Sequence, residues 1–526
     1  TLQAKNPENY NKADNISDYF SGILLLNQSK YDQSYKYLRK LEGLQTTHSE
    51  FSNKYLYSLV NSGNFNKAFN FAKKLERDGN ESFEGDLVIG IYYLNNSQFD
   101  LSTNYFLKAS KKPSKSLLDS FIISSLYNWS RLHNSDIEES KSELSKLDNR
   151  FENLKKIQRV FLNCFYNTKN TNLLFNELVS NEDINFSRYN FFYVKYLNSI
   201  GNKNEIEKII NNSLKKYPRN LLINQLRIDL KKSNKSDLKF DCKNVKHVSA
   251  EILYLTANAL SVQSVYSLSN FYLNLSKYLN KDFYAFNTLL AENFYSIEDY
   301  KSSKEIYKKL VSYGEAFKWF SNQQIARILV KEKNKAQSLS LLKKSFNQLH
   351  NKGVYETYDY AEFLKNNEEF EDAIKYYTDV LNRISESHPL FPQANDGRGV
   401  AYERIGDWEK AEKDLLVSLE VSPDQAYVIN YLAYSWIEQG IKINKSLEML
   451  KKANKLKSND PYIIDSLGWA LFKLKRYVES KEYLQIAVKL MPADPIVNDH
   501  FGDVLWKNGN EIQARYYWKY VLGLET

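Results

Sequence analysis

Apolar residues recur along this chain at helical spacing, in stretches broken by short polar turns, and two segments show the plan most openly. GRGVAYERIGDWEKAEKDLLVSLEVSP runs from Gly397 to Pro423, and SLGWALFKLKRYVESKEYLQIAVKLMP runs from Ser466 to Pro492. Each reads as a helix, a tight turn, a second helix and a proline stop. A small residue recurs in the first helix at Ala291, Ala326, Ala361, Gly399, Ala433, Gly468 and Gly502, with spacings of 35, 35, 38, 34, 35 and 34. Three positions later stands a large residue: Phe294, Leu329, Leu364, Tyr402, Trp436, Leu471 or Leu505. A small contact then opens the second helix at Ala373, Ala411, Ser446, Ser480 and Ala514, and a bulky residue closes it at Tyr377, Leu415, Leu450, Leu484 and Trp518. Small against large at fixed offsets is what two closely crossing helices need, and a period near 34 predicts a stack of such hairpins.

The register extends backwards. Ala257 lies 34 before Ala291, and Gly22, Leu56, Gly90 and Ser124 are 34 apart, with matching turns in SKYDQSYKYL, GNFNKAFNFA and SQFDLSTNYF. Between about 125 and 249 the pattern blurs, although Gly201, Ile206, Ile210 and Pro218 still read as one unit. The polar stretch Lys231 to His247 carries no apolar stripe and reads as an ordered excursion or hinge. The expected organisation is an N-terminal block over 1–248, degenerate from about 125, and a C-terminal block over 249–526, clearest over 354–526.

This pattern resembles the tetratricopeptide repeat (TPR). The resemblance implies an all-α fold, a right-handed α-solenoid of tandem helical hairpins in which each unit buries its open apolar face only by stacking on its neighbours. It also implies that the first helix of each unit lines an inner, concave surface. On the last four units that surface would carry the aromatics Tyr427, Tyr434, Tyr462, Trp469, Phe472 and Trp506, with Ile437, and a polar ladder of Asp396, Asn430, Asp465 and Asp499. Rigid aromatics beside carboxylates suit apolar or basic peptide segments. The competing reading makes the rings packing and the carboxylates solvated surface or helix-start caps. The Lys/Asn/Arg clamp with which chaperone-binding members grip a terminal carboxylate has no counterpart in this acidic stripe. The run from Asp465 to Leu522 resembles exported envelope proteins of Gram-negative bacteria, especially alphaproteobacteria. That likeness implies a periplasmic or envelope-associated adaptor, with the cytoplasm and peripheral membrane association left open.

Composition bounds the rest. With 17 Gly and 9 Pro in 526 residues, no flexible linker divides the chain, and no apolar run approaches the roughly 20 residues a membrane-spanning helix needs. A start at Thr1 leaves open a removed targeting segment. The net charge of +9 comes from 72 basic and 63 acidic residues, which reads as spread rather than gathered into a phosphate-binding patch. The abundance of Lys, Asn, Ile and Tyr looks like an AT-rich genome. Cys164 and Cys242, 78 apart, read as buried thiols. No phosphate loop, nucleophile elbow or H-E-x-x-H site is present, and the six histidines never fall at i, i+4, so no catalytic residue, cofactor or metal is expected. Of the histidines, only His500 flanks the groove. The leading expectation is a non-enzymatic scaffold for protein or peptide partners. The alternatives are a helical-repeat RNA binder, disfavoured because no inner position repeats a cation, and an array that assembles through its outer face or its ends, where Glu511 to Leu522 lies uncovered.

Overall fold

The computed structural model describes residues 13–46, 48–112, 116–232 and 238–524, and among them are 29 α-helices and no strand. Successive helices pair as antiparallel hairpins that stack in sequence order, so the all-α solenoid is as expected. Two compact units are present, one running to Leu349 and the other beginning at His350.

What makes a hairpin is visible at the small position. Without a side chain at Gly468, the second helix comes so close that an added Cβ would stand 2.7 Å from Leu484 Cγ. At six crossings among the described residues the small residue of the second helix is a serine that donates its hydroxyl to the first helix's backbone carbonyl 12 residues earlier. The pairs are Ser34 to Gly22, Ser102 to Gly90, Ser269 to Ala257, Ser303 to Ala291, Ser338 to Ala326 and Ser480 to Gly468, all at 2.7–2.9 Å. Every one of these serines is buried. Alanine at Ala373, Ala411 and Ala514 keeps the contact without the bond. Between the helices the chain reverses through a left-handed residue, glycine at Gly63, Gly406 and Gly509 but also Ser97, Glu298 and Lys475.

The second unit is five such hairpins: Val354–Asn366 with Phe370–Arg383, Leu390–Arg404 with Trp408–Val421, Ala426–Glu438 with Ile443–Leu456, Pro461–Lys473 with Tyr477–Leu490, and Pro495–Lys507 with Glu511–Gly523. The last two first helices start alike, with Pro461 or Pro495 in the first turn and Asp460 or Asp494 accepting two backbone N–H groups. One hairpin departs from the rule. Its turn holds an extra residue, with Lys442 left-handed, so Ser446 lies 13 rather than 12 positions after Ala433 and its buried hydroxyl has no partner.

The first unit does not simply stack. The helices Val245–Val262 and Tyr266–Leu279 fold back onto the first helices of the N-terminal hairpins, Ser49–Asn61, Phe83–Asn95 and Leu117–Ser130. Phe271 packs edge-on to Tyr57 at 4.7 Å, and Tyr278 stacks on Phe65 at 4.1 Å. Asn270 donates to the Tyr31 hydroxyl at 2.9 Å and Lys246 to the Asn95 carbonyl at 2.8 Å. Arg188 forms a two-point bond with the buried Glu251 at 2.7 and 2.8 Å, its guanidinium 3.9 Å above the Tyr254 ring. Burial pushes the Glu251 carboxyl up, and Arg188 opposes that shift. The division expected near residue 248 therefore falls inside one compact body, because helices on either side of it share a core.

Two further expectations change. Cys164 and Cys242 are both buried, as read, but they are joined as a disulfide with Cα atoms 6.0 Å apart. The spacing of 78 concealed this because the helix Glu152–Phe165 and the segment before Val245 meet only in three dimensions. Of the polar excursion, residues 233–237 lie outside the described residues. The remainder is no free hinge: Leu238 is buried, Asn280 donates to the Lys239 carbonyl at 3.0 Å, and the disulfide holds Cys242.

The serine bond predicts a contrast. Ser480→Ala leaves the Gly468 carbonyl without its second donor and should cost about 1 kcal/mol, whereas Ser446→Ala removes an unpartnered buried hydroxyl and should be neutral or stabilising. Urea denaturation of the full chain, following the transition of the second unit, measures both.

Candidate functional site

Within the second unit, helices in substantial contact are neighbours or next-but-one neighbours in sequence, and no helix of that unit lies across its first helices. On this face the expected residues divide into those brought together and those kept apart.

The assembled group centres on Trp469 in Pro461–Lys473. Its indole N–H donates to Glu438 Oε1 at 2.7 Å. The ring stacks on His500 from Pro495–Lys507, with centroids 3.9 Å apart and planes 11° from parallel, and on Phe472 at 4.7 Å and 6°. Asp465 accepts from or pairs with His500 Nδ1 at 3.0 Å. The Tyr434 ring stands 6.4 Å from His500. Its hydroxyl is held above the ordinary phenol range, first by burial and then by the Glu438 and Asp465 carboxylates. Lys473 places its ammonium 4.7 Å from the centre of the Trp469 ring. Asp465, His500 and Trp469 are only 5%, 6% and 7% exposed, so this is a packed aromatic platform with one His–Asp pair set into it.

The polar ladder is no row of helix caps: its members stand a turn or more inside their helices, and in two of those helices Asp460 and Asp494 are the caps. It is not uniform either. Asp465 is buried against His500, while Asp499 is exposed. Asn430 keeps a buried Oδ1 with no hydrogen-bond partner. Asp396 is partly buried, and desolvation pushes its carboxyl up to about 6, with Lys365 pulling down and Glu362 adding repulsion. Beside Asp499, burial first and that neighbour second hold the Asp503 carboxyl above its usual range.

Three aromatics lie apart from the platform. Tyr427 and Tyr462, in the first turns of their helices, are exposed, and Tyr427 is engaged by Lys457 and Asp460, each at 2.9 Å from its hydroxyl. Trp506 packs against its own hairpin, 5.6 Å from Trp518 and with Arg515 over its ring. Ile437 is fully buried core.

Sequence reading passed over Glu438 and gave His500 only a flanking place. The signal was present: Glu438, Trp469 and His500 are each about one repeat apart, and residues so spaced meet on adjacent first helices. Among the described residues no group of three or more His, Cys, Asp or Glu could hold a metal ion. No helix among them is long and apolar enough to cross a membrane.

An array of small-large helical hairpins of this kind defines an all-α helical-repeat protein. By comparison, residues 274–526, a little under half of the chain, match the family model described as tetratricopeptide repeat. The TPR repeat-containing protein PA4667 of Pseudomonas aeruginosa is 29% identical over 123 residues, which is 23% of this chain and 20% of that protein. The chain thus matches about a fifth of that relative's length. Among solved structures, MamA from Desulfovibrio magneticus aligns at 16% identity and a TM-score of 0.29, over 32% of this chain and 94% of that one. YrrB, titled a TPR protein with an unusual peptide-binding site, aligns at 16% identity and a TM-score of 0.28, over 35% and 91%. TM-scores this low say nothing about function.

The raised Asp396 carboxyl gives a pH prediction. A folded-state value near 6 against an ordinary 3.8 means that the ionised side chain opposes folding above pH 6, and that this penalty disappears as the group protonates towards pH 4. Asp396→Asn should melt a few degrees higher than the native chain at pH 7–8, by roughly 1–2 kcal/mol after allowance for its partial exposure, with the gap closing by pH 4. Thermal melts across that range check the sign.

Proposed function

We propose that the inner face of the second unit docks peptide segments of partner proteins, apolar or basic in character, and that the chain is an adaptor of the bacterial cell envelope. One observation carries the docking reading: the platform of Trp469, Phe472, Tyr434 and His500, in which Phe472 and Tyr434 are part-exposed, lies on a face that no helix of its own unit covers, beside the exposed Asp499. Rings already locked by stacking and by the Glu438 and Asp465 bonds lose little freedom when an apolar side chain settles on them. Carboxylates along the same helices favour a basic neighbour and disfavour an acidic one.

The contrast with the first unit supports this choice of face. There the corresponding first helices are covered by Val245–Val262 and Tyr266–Leu279, so the chain supplies its own occupant. The buried disulfide supports the envelope reading, because such bonds persist in oxidising compartments such as the periplasm. The family likeness noted for residues 465–522 points the same way.

The test is selection from a displayed random-peptide library by the full chain. Peptides carrying apolar and basic residues should be enriched, and Tyr434→Ala with Trp469→Ala should lose them. Asp499→Lys, at an exposed position that leaves the fold undisturbed, should lose the basic ones by about tenfold, while Trp506→Ala retains both. Enrichment that survives both the aromatic pair and Asp499→Lys rules out this face. For the location, thiol labelling in intact cells should find Cys164 and Cys242 blocked; free thiols on the newly isolated protein would overturn it.

A further inference from the structure

The first unit holds a second feature, independent of the groove. A surface cavity of about 520 Å³ opens where the second helices of the first two hairpins, Tyr31–Leu38 with its 3₁₀ extension Arg39–Leu41 and Phe65–Arg77, lie side by side. Five cations line it, Arg39, Lys40, Lys67, Lys74 and Arg77, against the single carboxylate of Glu42. Lys40 is answered by Asp18 at 3.0 Å, and Lys74 weakly by Glu42 at 3.8 Å. Arg39, Lys67 and Arg77 have no carboxylate partner among the described residues. The composition had suggested that the excess charge was spread; here the fold gathers part of it.

Local helix chemistry accounts for only some of this. Lys74 and Arg77 sit in the last turn of Phe65–Arg77, where a cation favours the helix dipole, but Lys67 sits in the first turn, where it does not. Nor is an unbalanced cation row general to the outer face. In the next interval Lys73, Lys108 and Lys112 meet Glu76, Glu81 and Asp86, and the Glu76 carboxyl is drawn down to about 2, by its bonds to Lys108 and Lys73 outweighing burial. The cavity's inner wall is aromatic. Tyr55 and Phe71 are buried and meet edge-on at 4.7 Å, and Tyr35 lies parallel to Tyr55. Lys67 donates to the Tyr35 hydroxyl at 2.8 Å, and that bond above all pulls the phenol below its ordinary range, as expected in a strongly positive surrounding.

We propose that this cavity receives an acidic peptide segment of a partner protein, one presenting several Asp or Glu carboxylates in succession. The distribution of the cations selects that chemistry. From Lys67 to Arg77 the helix advances about 15 Å. A row of that length matches four or five residues of extended chain at about 3.3 Å each, with carboxylates recurring along it, rather than the single point at which a phosphate converges its ligands. The aromatic wall then covers the stems between the carboxylates.

Fluorescence anisotropy of a labelled hexaglutamate peptide with the full chain, at low ionic strength, tests this. Binding should be saturable and weaken steeply with added salt. Lys67→Glu with Arg77→Glu should weaken it at least about tenfold, whereas Lys343→Glu with Lys344→Glu, an equal change of net charge on an exposed helix of the same unit, should leave it within about twofold. Lys67→Gln with Arg77→Gln, checked by a melt matching the native chain, serves if the charge reversals disturb folding. Equal loss in both reversed pairs, or no saturable binding, overturns the proposal. So does inorganic tripolyphosphate binding more tightly than the peptide through the same two residues, which would make the cavity a phosphate site.

Discussion

Each hairpin depends on two helices coming close enough at one point for a small residue of one to meet the other's backbone. A small residue on the first helix permits the approach, and a serine on the second, 12 positions on, turns the approach into a bond. The bond fixes axial register as well as distance. Where the turn gains one residue before Ser446, the hydroxyl misses its carbonyl and is buried unpaired, yet the hairpin persists on packing alone. Close contact is thus the requirement, and the hydrogen bond an addition present at six crossings.

From the same hairpin the two units make different use of the face left over. In the second unit it carries a stacked platform whose polar atoms are mostly held by one another, the Trp469 indole by Glu438 and the His500 ring by Asp465. In the first, two long helices occupy it, with Tyr57, Phe65 and Tyr31 contributing to a shared core. A face of stacked first helices needs something apolar against it, and a chain can provide this from itself or leave it for another molecule.

What was legible in the sequence was whatever repeats. Gly468 and Leu471, or Ala291 and Phe294, declare a hairpin by themselves because their partners lie within the same 34 residues. The site was half legible for the same reason: Trp469, Asp465 and Tyr434 fell at inner-face positions, but Tyr427 and Trp506, at comparable offsets, were drawn to Asp460 and Trp518 by local contacts that periodicity does not encode. Hidden altogether were features made by distant segments meeting: the Cys164–Cys242 bond, the Arg188–Glu251 pair, and the five cations brought to one cavity by two successive hairpins. The blurred region from 125 to 249 belongs with these. Its residues answer to long-range neighbours, and a consensus cannot survive where each position has a different partner.

The covering of the N-terminal hairpins by Val245–Val262 and Tyr266–Leu279 also bears on how the protein is made. A stack with only nearest-neighbour contacts can zip up as it leaves the ribosome, each hairpin settling on the last. Here Tyr31, made early and bonded locally only to Ser29, receives its second hydrogen bond from Asn270, 239 residues later, and the hairpins between must hold an open apolar face in the interim. The first unit is in this respect a high-contact-order fold assembled from low-contact-order parts, completed by closure rather than growth, while the second unit retains the option of folding one hairpin at a time.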